Sequence, residues 1–315
     1  MKFLMLRGHV PQDRDPREIC HSSIGEEDCI YVQLAYHLTD ERTEVWYQGG
    51  KRKQKYSDNF TVRWIPNFRK YKPDWEPDVI WARGGFPYYT DVLERYPNAL
   101  KVYYGAGKRY MPLDGVNYDV ILVDTKKQQK RVQDEYPKAR VFMWIKPAPD
   151  NLFYPHKSEI EYDVCYVAAS THARKNVDWV LDTIPPDLKM LYLGAKPKRA
   201  LPPNVTRKRT TRDKLAREYC KCKVGVMPYG TQDSAPRAIS EMLACGLPIV
   251  AFEKTPFWIQ KYKYVYAADP KNFWNSVRGT LHQDMKEEVA LYYLENLCMK
   301  KAVEYLRKIF WRAGA

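Results

Sequence analysis

The stretch "MPYGTQDSAPRAISEMLACGLPIVAF", residues 227–252, follows an apolar run, breaks at proline and glycine, restarts with helical spacing and ends in a second apolar run. The run before it, "VGVMP" (224–228), reads as a short buried strand, and Gly230 punctuates the loop that follows. Ser234 is the expected N-cap, with Pro236 in the first helical turn and Ile239, Met242 and Leu243 on the apolar face. Gly246 is expected to end the helix as its C′ residue, with Pro248 just beyond, and "PIVAF" is the next strand. Residues 234 and 241 return to nearly the same helix face at about 100° per residue, so Ser234, and Asp233 just outside the cap, line up with Glu241. A helix start with free N–H groups and a positive dipole end suits a ligand with hydroxyls and negative charge. The same residues also describe a plain capped helix whose Glu241 pairs with Arg237.

Outward from this stretch, short apolar runs alternate with helical patterns, as in a parallel sheet with crossover helices. Strands are expected at 2–7, 43–48, 78–83, 100–105, 118–124 and 139–144, with helices near 26–39, 88–95 and 125–135. The pattern then repeats, with strands at 162–169, 189–194, 223–228 and 247–252 and helices near 175–183, 211–220 and 235–244. The segment 145–161 is rich in proline and charge and reads as a linker, and everything from 269 onward reads as helical. The chain of 315 residues therefore divides into two α/β units, whose ligands are expected beyond the carboxyl ends of the strands, in a cleft between the units.

The composition is 45% hydrophobic, which excludes wholesale disorder, while the formal charge of +14 favours an anionic partner: nucleic acid, a membrane surface or a phosphorylated substrate. Seven scattered cysteines make no disulfide framework, and Cys220 and Cys222 are spaced too closely for a zinc knuckle. The apolar run before Arg7 is too short for a signal peptide and no run of about 20 apolar residues occurs later, so a soluble, cytoplasmic protein is expected.

Three segments in order, "KPAPDNLFYP" (146–155), "YDVCYVAASTHARKNVDWVLDTI" (162–184) and "PYGTQDSAPRAISEMLACGLPIVAF" (228–252), resemble GT-B glycosyltransferases of the GT4-like type, also called glycosyl transferases group 1. The resemblance covers about 146–252 and is weak over 1–145. It implies a GT-B fold of two Rossmann-like α/β/α domains facing across a cleft. Residues 1–145 would bind the acceptor, 146–161 would link, 162–295 would bind a nucleotide-sugar, and the helix of 296–315 would pack back on the first domain. It implies a retaining transferase that needs no metal and uses a UDP-sugar, with a GDP-sugar as the alternative. By resemblance Glu241 bonds the donor ribose, Asp233 stands where the signature ordinarily has a first glutamate, and Ser234 and Ala235 offer N–H groups to sugar and phosphate. Arg174 and Lys175 align with residues that hold the diphosphate, Ser170 joins the donor contacts, and 205–211 resembles the loop beside the nucleotide base. The chemistry asks for such cations, because negative charge develops on the leaving diphosphate as the glycosidic bond breaks.

The first half departs from the family pattern. No glycine-rich loop follows the first strand, and "YYGAGKRYMP" (103–112) lacks the histidine that many relatives carry there. His9, Glu26 and Glu27, with His21 and Asp13, are the remaining candidate acceptor contacts or bases, and Lys108 and Arg109 are placed beside the cleft. Between 51 and 72, Lys51, Arg52, Lys53, Lys55, Arg63, Arg69, Lys70 and Lys72 interleave with Tyr56, Phe60, Trp64, Phe68 and Tyr71. Cations mixed with aromatics suit a phosphate backbone with stacked or flipped bases, and point to a hydroxymethylated pyrimidine in DNA as the acceptor. A cell-envelope glycan or lipid is the alternative, for which "KKAVEYLRKIFWR" (300–312) offers a basic, aromatic segment. A nucleic-acid-binding protein on a degenerate GT-B scaffold is the non-enzymatic reading.

Overall fold

The computed structural model describes residues 1–7, 34, 37–38, 42–49, 53–55, 57–83, 87–105, 116–144, 146–168, 175–229, 236–253 and 262–314. These form two compact units, the first made of Met1–Ile145 with Met299–Ala315 and the second of Lys146–Cys298.

The first unit holds strands β1 (Lys2–Arg7), β2 (Arg42–Gln48), β3 (Lys53–Lys55), β4 (Phe60–Ile65), β5 (Val79–Arg83), β6 (Leu100–Gly105), β7 (Val120–Val123) and β8 (Arg140–Met143). They make one sheet in the order β3-β4-β2-β1-β5-β6-β7-β8, parallel except for β3. The apolar runs are continuous because both faces are covered. Phe3 and Met5 of β1, Val79 and Trp81 of β5, and Val102 and Tyr104 of β6 enter one core cluster. Leu4 and Leu6, Ile80 and Ala82, and Tyr103 enter the other.

Helix α1 (Thr90–Arg95) follows β5, and α2 (Lys126–Glu135) follows β7. A capping box starts α2: Thr125 Oγ1 accepts from the Gln128 N–H at 3.2 Å, and Gln128 Oε1 accepts from the Thr125 N–H at 3.2 Å. Of the helix expected near 26–39, only Leu34, His37 and Leu38 are described, and Leu34 and Leu38 are buried in the first cluster.

The basic-aromatic reading of 51–72 is corrected here. Phe60, Trp64 and Phe68 are core residues, so their faces are closed to a base. Arg63 lies on β4 and donates from Nε (2.8 Å) and a terminal nitrogen (3.1 Å) to the buried Glu44 carboxylate on β2. Arg69 pairs with Asp91 at 2.6 Å. Lys51, Arg52 and Tyr56 lie outside the described residues.

The second unit holds β9 (Tyr162–Ala168), α3 (Val177–Thr183), β10 (Met190–Gly194), β11 (Val205–Lys208), α4 (Arg212–Tyr219), β12 (Cys222–Met227), α5 (Arg237–Ala244), β13 (Ile249–Phe252), β14 (Val265–Ala268), α6 (Phe273–Leu281) and α7 (Lys286–Asn296). Its six strands are parallel in the order β11-β10-β9-β12-β13-β14. Helix α5 lies tightly on β12: a Cβ on Gly225 would come 2.5 Å from the Met242 sulfur. Gly246 closes α5 at φ +82°, with the Leu247 N–H bonded to the Met242 carbonyl (2.9 Å) and the Gly246 N–H to that of Leu243 (3.0 Å), a Schellman motif.

Helix α8 (Met299–Ala313) belongs to the first unit. Its Met299, Ala302, Val303, Leu306, Ile309 and Phe310 enter the first core cluster, and Phe310 meets Phe3 and Trp81 at ring distances of 6.2 Å. Among the described residues no helix is long and apolar enough to cross a membrane.

Candidate functional site

The second sheet changes winding direction at β9 and β12, which pair in register from Cys222 opposite Tyr162 to Val226 opposite Tyr166. Their carboxyl ends therefore lie side by side, and the chain leaving each end carries the residues expected to hold a donor. After β9 come 169–174, outside the described residues, then Lys175 and Asn176; after β12 come Pro228 and Tyr229, then 230–235, also outside them. Ser170, Arg174, Asp233, Ser234 and Ala235 fall in these two segments.

The described parts of the two connections are tied together. The Lys175 ammonium sits 3.7 Å from the centre of the Tyr229 ring, and the Lys175 carbonyl accepts from the Tyr166 hydroxyl at 2.6 Å. Asn176 adopts left-handed backbone at φ 54° and its side-chain amide donates to the Pro228 carbonyl at 2.6 Å. The Tyr229 hydroxyl in turn donates to the Val167 carbonyl of β9. An ammonium over an aromatic face keeps its charge and has its approach direction fixed, which is what holding a diphosphate requires.

Glu241 lies in the middle of α5 and is 4% exposed. The Tyr219 hydroxyl, from α4, donates to its Oε2 at 3.3 Å. Burial pushes the Tyr219 phenol well up, and the Glu241 charge adds to the shift, so Tyr219 stays a donor. Ser240, beside it, donates to the Lys146 carbonyl at 2.8 Å, and Tyr293 bonds both the N–H (2.9 Å) and the carbonyl (3.2 Å) of Ala148, which fastens the 146–150 segment to the second unit. Tyr219 was not anticipated; it sits on a core-facing helix, where a buried tyrosine carries no signal in the sequence.

Two local expectations are corrected. Helix α5 begins at Arg237 with Pro236 as its N-cap, because Pro236 has extended backbone (ψ 125°); Ser234 is not the cap. The segment 205–211 is strand β11 as far as Lys208, whose ammonium bonds Glu218 at 3.1 Å, and only the remainder is connection. Of the acceptor residues, His9, Glu26, Glu27, Lys108 and Arg109 lie outside the described residues, as do His21 and Asp13. Cys165, Cys220, Cys222, Cys245 and Cys298 are buried free thiols.

The profile of the family described as Glycosyl transferases group 1 matches residues 161–283, the strands and helices that carry this site. No curated relative matches the chain by sequence. Among solved structures the chain is similar to sucrose-phosphate synthase from Thermosynechococcus elongatus, at TM-score 0.72 and 12% identity over 99% of this chain and 98% of that one. It is similar to Anabaena HepE, solved with UDP and glucose (TM-score 0.65, 11% identity, 99% and 100% covered). It is also similar to WaaG, a glycosyltransferase involved in lipopolysaccharide biosynthesis (TM-score 0.63, 12% identity, 98% and 99% covered). These likenesses extend over both units and establish the two-domain Rossmann-like fold; the family profile identifies the second unit. The chain is a glycosyltransferase of GT-B fold whose second unit carries the glycosyl transferases group 1 domain.

Proposed function

We propose that the chain transfers a sugar, with retention, from a nucleotide-sugar bound on its second unit to a hydroxyl of an anionic acceptor taken on its first unit. The observation that carries this reading is Glu241, a buried carboxylate held by Tyr219 inside the family match. A buried carboxylate accepts from a pair of ribose hydroxyls at little cost in reorganisation. Lys175 with Arg174 stabilises the charge that grows on the leaving diphosphate, while Asp233, Ser170, Ser234 and Ala235 meet the sugar and phosphate. HepE, solved with UDP and glucose, supports UDP as the nucleotide to test first.

A hydroxymethylated pyrimidine in DNA is the first acceptor to test, supported by the +14 charge. An envelope glycan or lipid is the second, supported by α8, whose outward residues Lys301, Tyr305, Lys308, Trp311 and Arg312 make a basic, aromatic face with Trp311 78% exposed. The test is transfer of radiolabel from UDP- and GDP-sugars to hydroxymethylcytosine-containing duplex, to unmodified duplex and to extracted membrane lipid. Glu241→Ala should abolish transfer and donor hydrolysis alike. Transfer that survives this substitution would refute the donor site, and a wild-type chain without transfer or hydrolysis would be a binding protein.

A further inference from the structure

The first sheet also has a point where its winding reverses. From β1 the chain runs outward to β2 and β4, and from β5 it runs the other way to β6, β7 and β8, so the reversal falls between β1 and β5. Open α/β sheets bind ligands outside the carboxyl ends of the strands at such a point. The last residues of these two strands are Arg7 and Arg83. The register pairs Leu6 with Ala82, which makes Arg7 and Arg83 neighbours on adjacent strands spaced about 4.8 Å apart.

Alternation along each strand puts both on the face of Phe3, Met5, Val79 and Trp81, where they close the apolar cluster at its carboxyl edge. Tyr47 stands opposite Arg7 on β2, and Tyr104 stands opposite Arg83 on β6. The Arg83 guanidinium lies 5.6 Å from the centre of the Tyr104 ring, whose hydroxyl donates to the buried Asp124 carboxylate just past β7. The stack and the hydroxyl bond fix the plane of Arg83. Arg7 and Arg83 are 7% and 8% exposed, so each shows only a small part of itself to solvent.

We infer that Arg7 and Arg83 form an anion subsite that receives the phosphate group of the acceptor. Guanidinium groups keep their charge under all ordinary conditions, and two of them side by side at low accessibility focus a positive potential on the crevice between β1 and β5. A phosphate offers each of them a pair of oxygens, and bridging the two forks fixes the position of the acceptor hydroxyl relative to the donor. The inference rests on the reading that the first unit takes the acceptor, and gives that acceptor a phosphate close to its reacting hydroxyl.

The test is calorimetric titration of inorganic phosphate into the full chain with UDP at saturation, so that a donor diphosphate position is already filled. Wild type should bind phosphate; Arg7→Lys and Arg83→Lys, which keep the charge and lose the planar fork, should weaken it several-fold. Arg7→Gln with Arg83→Gln should abolish it, and Lys308→Gln, on the outer face of α8, should leave it unchanged. UDP affinity and the thermal melt of the Lys variants should match wild type. Displacement of phosphate by a hydroxymethylcytosine oligonucleotide assigns the subsite to a phosphodiester acceptor, and displacement by a hexose phosphate assigns it to a phosphomonoester. Absence of phosphate binding in wild type, or binding that persists in the double Gln variant, overturns the inference. Failure of wild type to bind UDP is a separate result, and counts against the donor site instead.

Discussion

Glu44→Gln is the sharpest probe of how the first unit is held together. The Glu44 side chain is 1% exposed and accepts four bonds: two from Arg63 (2.8 and 3.1 Å), one from the Trp46 indole (2.9 Å) and one from Arg42 (3.3 Å). Burial pushes its carboxyl up, but the hydrogen bonds from Arg63 and Trp46 and the charges of Arg63 and Arg42 outweigh burial and hold it below its ordinary value. The substitution keeps shape and volume, removes the charge and leaves Arg63 facing a neutral amide. Breaking a buried pair from one side costs about 3–5 kcal/mol, and the low end applies because Arg63 keeps some access to water. For a unit of this size, about 3 kcal/mol lowers the melting midpoint by roughly 6–12 °C. Six of the nine tryptophans belong to the first unit, so indole emission during urea unfolding reports it. Because the folded carboxyl lies below its unfolded value near about 4.3, its contribution is full above that pH and is lost as pH falls through the folded value. Wild type and Glu44→Gln should therefore differ most at neutral pH and converge in acid. A loss below about 1 kcal/mol at neutral pH, the worth of a surface pair, would refute the reasoning.

Three further outcomes follow from the same packing. Gly246→Ala would place a Cβ at φ +82° and 2.6 Å from the Lys286 carbonyl, so the second unit should lose about 2 kcal/mol or more in thermal unfolding. Phe310→Ala empties a fully buried position between Phe3 and Trp81 and should cost about 3–5 kcal/mol in the first unit's transition, with the second unit's unchanged. Tyr219→Phe removes the hydroxyl that steadies Glu241 and should raise KM for the donor about tenfold with little change in kcat; an unchanged KM would detach Tyr219 from the donor site.

What the sequence makes legible follows from how each element is buried. β1, β5, β6 and β7 are covered on both faces, so their apolar runs are uninterrupted and composition alone locates them. β4 is half-buried in alternation, and its Arg63 is neutralised by Glu44 from a strand 19 residues earlier, a pairing that no local pattern contains. Read without that partner, "FTVRWI" looks like cations between aromatic faces. The edge strands β11 and β14 are four residues each and escape notice for lack of length. The end of α5 is legible because Gly246 is needed for its left-handed turn, whereas its start is not. Ser234 and Pro236 both fit a helix N-terminus, and only the extended ψ of Pro236 decides between them. Glu241 is found from sequence because the family signature is local. Tyr219, which positions it, comes from another helix and is visible only in three dimensions.

Net charge names a class of partner without naming a place. Residues 1–145 with 299–315 carry 29 Lys and Arg against 21 Asp and Glu, and residues 146–298 carry 23 against 17, so the excess is shared and neither unit is singled out. Most surface cations also answer to acids nearby, as Arg69 does to Asp91, Lys223 to Asp163 and Arg278 to Asp187. Such exposed pairs leave little field at a distance, since salt screens them within a few ångströms to a nanometre. Arg7 and Arg83 differ in location and in how they are held: strand register sets their separation, Tyr104 sets the plane of Arg83, and both stand at the one reversal of the first sheet. Two cations fixed in this way define the position of an anion more closely than the remaining fifty spread over the surface, which is why substitution there should alter which acceptor is taken while leaving the nucleotide-sugar untouched.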